Sequence, residues 1–371
     1  MDGDHGLAVA SRHGLGAIAD ETAAIASLAA VVDKDGVYPA ASMQRLGAAG
    51  AFGLHLAAHS LLPRPSLAGA VDAMASVSAE CMSTGFCVWC QDSAGWYLEQ
   101  SDNLALREKL QPAVASGAVM AGTGLSNPAK AMMGTEAFRL RGKRVAGGYM
   151  VSGILPWVSN LGEGHWFGTI FEDADDAKHH VMAMIKIGQP GVSIKQNANF
   201  IALEGTGTFS VLFARAFISD DQLLADPLGD MMARIQPGFI LLQTGMGLGI
   251  IDAAISLMRE ADVTQGHCNH HLDLRAHAAE DYAAGLHARI GQLAATPLER
   301  SRRYLRDVMQ ARLDVSQFCL TAMQSAMLHW GACGYLEGSP VHRRLREAWF
   351  VAIITPSIRH LKSEIAALAE A

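Results

Sequence analysis

The chain has 371 residues, 50% of them apolar and 18% charged, with a formal net charge of −7. No basic domain gives a footprint for nucleic acid, and no run approaches the roughly eighteen apolar residues that cross a bilayer. The opening MDGDHGLAVASRHG is acidic and lacks the basic and apolar regions of a secretory signal, so a cytoplasmic enzyme is the expectation.

A chain this long exceeds one ordinary core, and two or three domains or layers are expected. Its charged fraction falls below the usual quarter, which predicts surface buried between subunits and a homo-oligomer. The six cysteines (Cys81, Cys87, Cys90, Cys268, Cys319 and Cys333) are scattered through helix-patterned sequence. That distribution fits reduced thiols better than a disulfide framework.

Residues 1–118 read as an N-terminal α-helical domain. Helical spacing runs over Ala17–Val32, Tyr38–Gly50 (with Pro39 near its start), Leu67–Ala79 and Asn103–Ser116, where Pro112 predicts a break after Leu110. Gly85–Leu98 is apolar on nearly every side, the mark of a helix buried at the centre of a bundle. Residues 119–226 read as a central β-domain, a barrel or sandwich of short strands: Phe138–Val145, a Gly147–Gly148 hairpin turn, Tyr149–Ser152, His165–Phe171, Val181–Ile187, Val192–Lys195 and Ser210–Ile218. Asp173–His180 is a polar connection. Residues 227–371 return to helix as a C-terminal bundle, with helices predicted from Pro237 through Phe239–Met258, then Leu272–Leu293, Pro297–His329 and Ser339–Ala369. Gly245, Gly247 and Gly249 are placed for close helix packing; without a βαβ unit they are no dinucleotide fingerprint.

Residues 121–160 draw the eye. Trp157 beside Ser159, at a strand end, suits either a ring that plugs the β-domain or one that covers a flat aromatic ligand, with Ser159 bonding its polar edge. Cys87-Val88-Trp89-Cys90 has the spacing of a thiol pair, but inside a buried helix it reads as core. His267, Cys268, His270, His271 and His277 could hold zinc, though they lack paired spacing and read as a solvated loop. Arg302, Arg303 and Arg306, and Arg343, Arg344 and Arg346, could meet a phosphate, yet solvated faces and ion pairs between subunits explain them as well.

Several stretches, in order, resemble the acyl-CoA dehydrogenase family. Residues 103–128, NLALREKLQPAVASGAVMAGTGLSNP, are similar to its helix-to-β junction ending in a "TEP" loop. Gly148–Gly153 resembles its "GY.LNG" hairpin, Trp157-Val158-Ser159-Asn160 its "WITN", and Leu203–Thr208 through Phe217–Ser219 its "G.RGSGT…VFVP" strands. Gly331–Tyr335, Pro340-Val341 and Arg346-Glu347-Ala348 are similar to "GG.GY…PVER..RDA". The resemblance implies an α+β fold with helical domains around a β-domain, a homotetramer, and FAD between the β-domain and the C-terminal helices. It implies flavin contacts at Leu125, Ser126, Trp157, Val158, Ser159, Gly331 and Ser357. The family reaction dehydrogenates an acyl-CoA, a glutamate removing the α-proton and a flavoprotein accepting the electrons.

The chain departs from that pattern where the chemistry is done. Thr355 occupies the usual base position, Phe239 the alternative one, and no catalytic residue is identified. Glu337 and Glu347 are nearby in sequence but read as solvated or paired charges. Gln265 and Leu328 stand where the family has an arginine and a glutamine on the flavin, and Ala131-Met132-Met133-Gly134 replaces a polar phosphate-side cluster. FMN could therefore replace FAD. Alternatives to dehydrogenation are a two-component flavin monooxygenase on the same fold, supplied by a flavin reductase, or an inactive partner subunit of an active paralogue. His360 is similar to histidines of such monooxygenases, though out of register with them.

Overall fold

The computed structural model describes residues 15–196 and 198–370. Helices α1 (15–26), α2 (Ala29–Lys34), α3 (Ala40–Ala48), α4 (Leu67–Glu80), α5 (Met82–Gln100) and α6 (Leu104–Ala115) come first. Every residue of α5 from Met82 to Leu98 is buried, as its all-round apolar pattern predicts. Cys87 and Cys90 are fully buried there, and burial pushes both thiols up, so the pair is packing material. α6 does not break after Leu110. Pro112 lies on the exposed side of its last turn, where the lost donor leaves only a carbonyl near water.

The strands follow: β1 (Ala121–Thr123), a short helix α7 (Ser126–Met132), β2 (Leu140–Val145), β3 (Gly148–Val158), β4 (Trp166–Asp173), β5 (His180–Lys186), β6 (Val192–Lys195), β7 (Phe209–Ser219) and β8 (Leu223–Ala225). They form one eight-stranded sheet in the order β6-β7-β3-β2-β4-β5-β8, with β1 paired to β4. Its inner face encloses a separate apolar core that includes Tyr149, Phe167, Phe171 and Phe213. The hairpin turn falls on Ala146–Gly147, one residue earlier than the glycine pair suggests, because Gly148 already pairs with Val145.

Helices α8 (Met231–Asn269), α9 (Ala276–Ala294), α10 (Arg302–Trp330), α11 (Pro340–Ile353) and α12 (Ile358–Glu370) complete the chain. α8 starts six residues before Pro237, since tertiary contacts hold the turn ahead of it. Arg234 forms two 2.8 Å bonds to Asp102, and Trp96 Nε1 donates to Ile235 O at 3.0 Å. α8 is apolar enough to span a bilayer but is buried within the fold. The segment Ser339–Ala369 is two helices, not one, divided at Ile354–Ser357 around a cis Thr355–Pro356 bond. The residue before a proline avoids helical geometry.

Gly245, Gly247 and Gly249 do bring α8 close to its neighbours. A Cβ on Gly249 would lie 2.2 Å from Ala75 O and one on Gly245 2.8 Å from Val71 O, both backbone atoms of α4. Gly249→Ala should therefore lower stability by about 1–3 kcal/mol, read as a fall in the denaturant midpoint at unchanged slope.

Across the same packing, His287 of α9 sits between Asp72 of α4 (3.8 Å) and Asp252 of α8 (3.7 Å). The two carboxylates raise its pKa to about 9. A raised folded pKa stabilises fully below the unfolded value near 6.5 and is lost as pH rises through about 9. Melting curves of wild type and His287→Gln should thus differ at pH 6 and converge above pH 9; parallel curves would remove the clamp.

Candidate functional site

A cavity of about 960 Å³ opens where the end of β3, the connection from residue 198 to β7, α5, α7, α8 and the α11–α12 link converge. Adjacent residues on a strand point to opposite faces. Trp157 and Ser159 accordingly line the cavity, while Val158 between them is buried in the sheet core. Trp157 keeps 53% of its surface exposed, with an edge-on contact to Phe200 at 6.4 Å. Ser159 Oγ is 2.7 Å from Thr208 Oγ1, itself 2.8 Å from Thr206 Oγ1, so the serine is held in place.

The opposite wall is aromatic and largely buried. Phe86 stacks on Trp89 (5.6 Å, 11°) and meets Phe350 edge-on at 4.7 Å, while Trp89 is 5.1 Å from Phe239. These rings belong to α5, α8 and α11, which pack against one another. Such a surface takes an apolar, preferably flat, ligand and excludes water.

Leu125, Ser126, Thr355 and Ser357 also line the cavity. Ser126 Oγ and Thr355 Oγ1 are 3.1 Å apart, which joins α7 to the α11–α12 link. Behind them, Gln243 Nε2 donates to Thr355 O at 2.8 Å, and the fully buried Arg312 donates to Gln243 Oε1 at 3.2 Å. Gly331 is not among the lining residues; it ends α10 in a left-handed conformation with φ 56°.

One end of the cavity is cationic. Lys130, Arg359 and His360 line it, and Arg346 lines another part. His360 Nδ1 lies 3.1 Å from Ser357 Oγ and accepts from Ser357 N at 3.5 Å, which leaves the proton on Nε2. Burial, then the charges of Arg359 and Lys130, lower its pKa, so the ring is neutral at pH 7. Among the described residues no aspartate or glutamate lines the cavity. Glu347 is fully buried and paired with Arg343 at 3.0 Å; Glu337 is exposed.

The arginines between Pro340 and Ala348 turn inward rather than toward solvent or another subunit. Arg343 and Arg344 donate to Glu80 O, and Arg344 also to Ser78 O at 3.1 Å, capping the last carbonyls of α4. Arg346 binds Asp33 through both nitrogens (3.1 and 2.5 Å) and Ile201 O. Sequence reasoning missed these, and missed Phe86, Trp89 and residues 198–203 as cavity residues. After His267, His270 and His271 lie on the surface with their rings tilted at 40° and 3.7 Å apart.

The ring side suits a flavin: Trp157 offers an open indole face inside a cavity with Ser159 and Ser126 at its edge. Ala131-Met132-Met133-Gly134, at the end of α7, puts no polar side chain there, and Met132 is exposed.

No family model matches the chain. It is similar to benzylmalonyl-CoA dehydrogenase of Aromatoleum aromaticum, 24% identical over 338 residues, covering 89% of each protein. Among solved structures it superimposes on butyryl-CoA dehydrogenase from Megasphaera elsdenii with a TM-score of 0.86 at 15% identity, over 97% of this chain and 98% of that one. KijD3 in complex with FMN and a dTDP-amino-keto sugar gives 0.81 at 20% identity, over 97% and 94%.

Proposed function

We propose, on the premise that this chain is a divergent member of the acyl-CoA dehydrogenase family, that it is a flavin-dependent oxidoreductase working without a carboxylate base. One observation carries this reading: the cavity has the open indole face of Trp157 and an aromatic wall, while no described lining residue is acidic. Removal of an α-proton needs a base within reach. The two positions that the resemblance aligns with that base hold Thr355 and Phe239. A two-component monooxygenase, fed with reduced flavin by a separate reductase, has no such requirement, and we adopt it over α,β-dehydrogenation.

Bound flavin would supply two-electron transfer and, when reduced, reaction with oxygen. The residues of this chain do the remainder. Trp157 covers one face of the ring, with Leu125, Ser126 and Ser159 at its edges. The wall of Phe86, Trp89, Phe239 and Phe350 holds the apolar part of the substrate and keeps water out. His360 presents a neutral Nε2–H beside Lys130 and Arg359, a donor for an oxygen atom of the ligand. Dehydrogenation of an acyl thioester is the second reading, favoured by the relative that spans 89% of the chain. A homotetramer suits either.

Two measurements separate them. The flavin-loaded protein is mixed anaerobically with a panel of acyl-CoAs, including benzylmalonyl-CoA and butyryl-CoA; bleaching of the flavin would decide for dehydrogenation. Conversion of an organic substrate that needs this protein, oxygen and a NADH-dependent flavin reductase together, with no bleaching in the first assay, is the result we expect.

A further inference from the structure

We propose that Lys130 and Arg359 form a seat for the phosphate adjoining the ribityl chain of the flavin, in place of the polar cluster this chain lacks. The inference rests on the flavin reading above and concerns a different group of the same ligand.

Both side chains line one end of the cavity, Lys130 from α7 and Arg359 from the first turn of α12. Ser126 and Lys130 are four residues apart on α7, so they lie on one face about one helical turn from each other. A ring edge at Ser126 thus places the next few atoms of a polyol chain beside the lysine. The charges at this end do not balance. Among the described residues Lys130 has one carboxylate within 4.0 Å, Glu136 at 3.0 Å, and Arg359 has none. Both cations act on His360 against the one carboxylate Glu136, so two positive charges face a single negative one around it. Arg359 is in the first turn of the thirteen-residue α12, whose N-terminus adds positive potential there. A surplus of cations at the end of an otherwise apolar cavity matches an anion carried by the ligand, and a guanidinium with an ammonium suits phosphate.

The test is equilibrium binding followed by quenching of flavin fluorescence, with riboflavin, FMN and FAD as probes. The variants are Lys130→Met, Arg359→Gln and the double substitution. Glu136 keeps Asn127 at 3.1 Å and Arg139 nearby, so Lys130→Met orphans no carboxylate. Wild type should bind FMN at least about tenfold tighter than riboflavin. Each single variant should lose about tenfold for FMN, with riboflavin binding and melting temperature unchanged. Equal affinity of wild type for riboflavin and FMN, or undiminished FMN binding by the double variant, would overturn the seat and leave the ring site standing. No quenching by any of the three, from a protein with a native melting transition, would remove both the seat and the flavin reading.

Discussion

Arg312→Ala should destabilise the protein by about 3–5 kcal/mol, the largest loss expected of any single substitution in the helical bundle. Arg312 of α10 is fully buried, and its bonds go to neutral groups: Gln243 Oε1 at 3.2 Å, Val351 O at 2.8 Å and Ser316 Oγ. Burial lowers its pKa to about 10, so it remains charged at neutral pH. The charge therefore carries a desolvation cost that alanine would relieve. Alanine also leaves a hole and strands two buried acceptors, of which Val351 O is among the carbonyls that the end of α11 cannot satisfy itself. The second effect wins because unpaired acceptors and lost packing act together. Arg312→Met separates the two: it fills most of the volume and forms none of the bonds, and should fall between wild type and alanine. The consequence reaches the cavity, since Gln243, which Arg312 orients, holds Thr355 O at 2.8 Å. An unfolding free energy for Arg312→Ala within about 1 kcal/mol of wild type, from denaturant titration, would mean that this relay supports nothing.

How far such a network could be foreseen depends on its reach along the chain. The period of apolar residues marks α5 and most of α8 because those patterns run for many turns. β1 and β8, three residues each, and the short α7 are too brief to show a period. The division of α11 from α12 was written in Pro356, but a continuous amphipathic pattern on either side masked it. In the site, Leu125, Ser126, Trp157, Ser159, Thr355 and Ser357 line one cavity although 232 positions separate the first from the last (357 − 125). Trp157 and Ser159 were legible as a ring near a hydroxyl at a strand end, and the other four only through family resemblance. Phe86 and Trp89 were not, because a ring facing a cavity and a ring facing a core have the same periodicity. Arg346 was named only as one of several arginines that could meet a phosphate, and its pairing was not legible, since Asp33 lies 313 positions away. Charge balance in a cavity is likewise invisible until the fold gathers Lys130, Arg346 and Arg359 and leaves the acids outside.

Trp157→Ala should weaken flavin binding on the order of 100-fold, about 2–3 kcal/mol, with little change in stability. The two readouts come apart for a structural reason. Trp157 is at the end of β3 with 53% of its surface exposed, and its aromatic contact is the single edge-on approach to Phe200 at 6.4 Å. A residue so placed contributes little to the fold in the free protein. Against a bound ring, its whole face would be covered, and that added burial is what alanine forfeits. Trp157→Phe should retain most of the affinity because it keeps a flat face at this point. Ser159→Ala should cost less than Trp157→Ala, because its hydroxyl is already engaged by Thr208 at 2.7 Å and would only share a bond with the ligand. The opposite pattern, with unchanged quenching of FMN and a lowered melting temperature for Trp157→Ala, would make this indole a plug beneath residues 198–203. That outcome would return Trp157 to the structural role its sequence context allows, and the flavin would have to be sought elsewhere in the cavity.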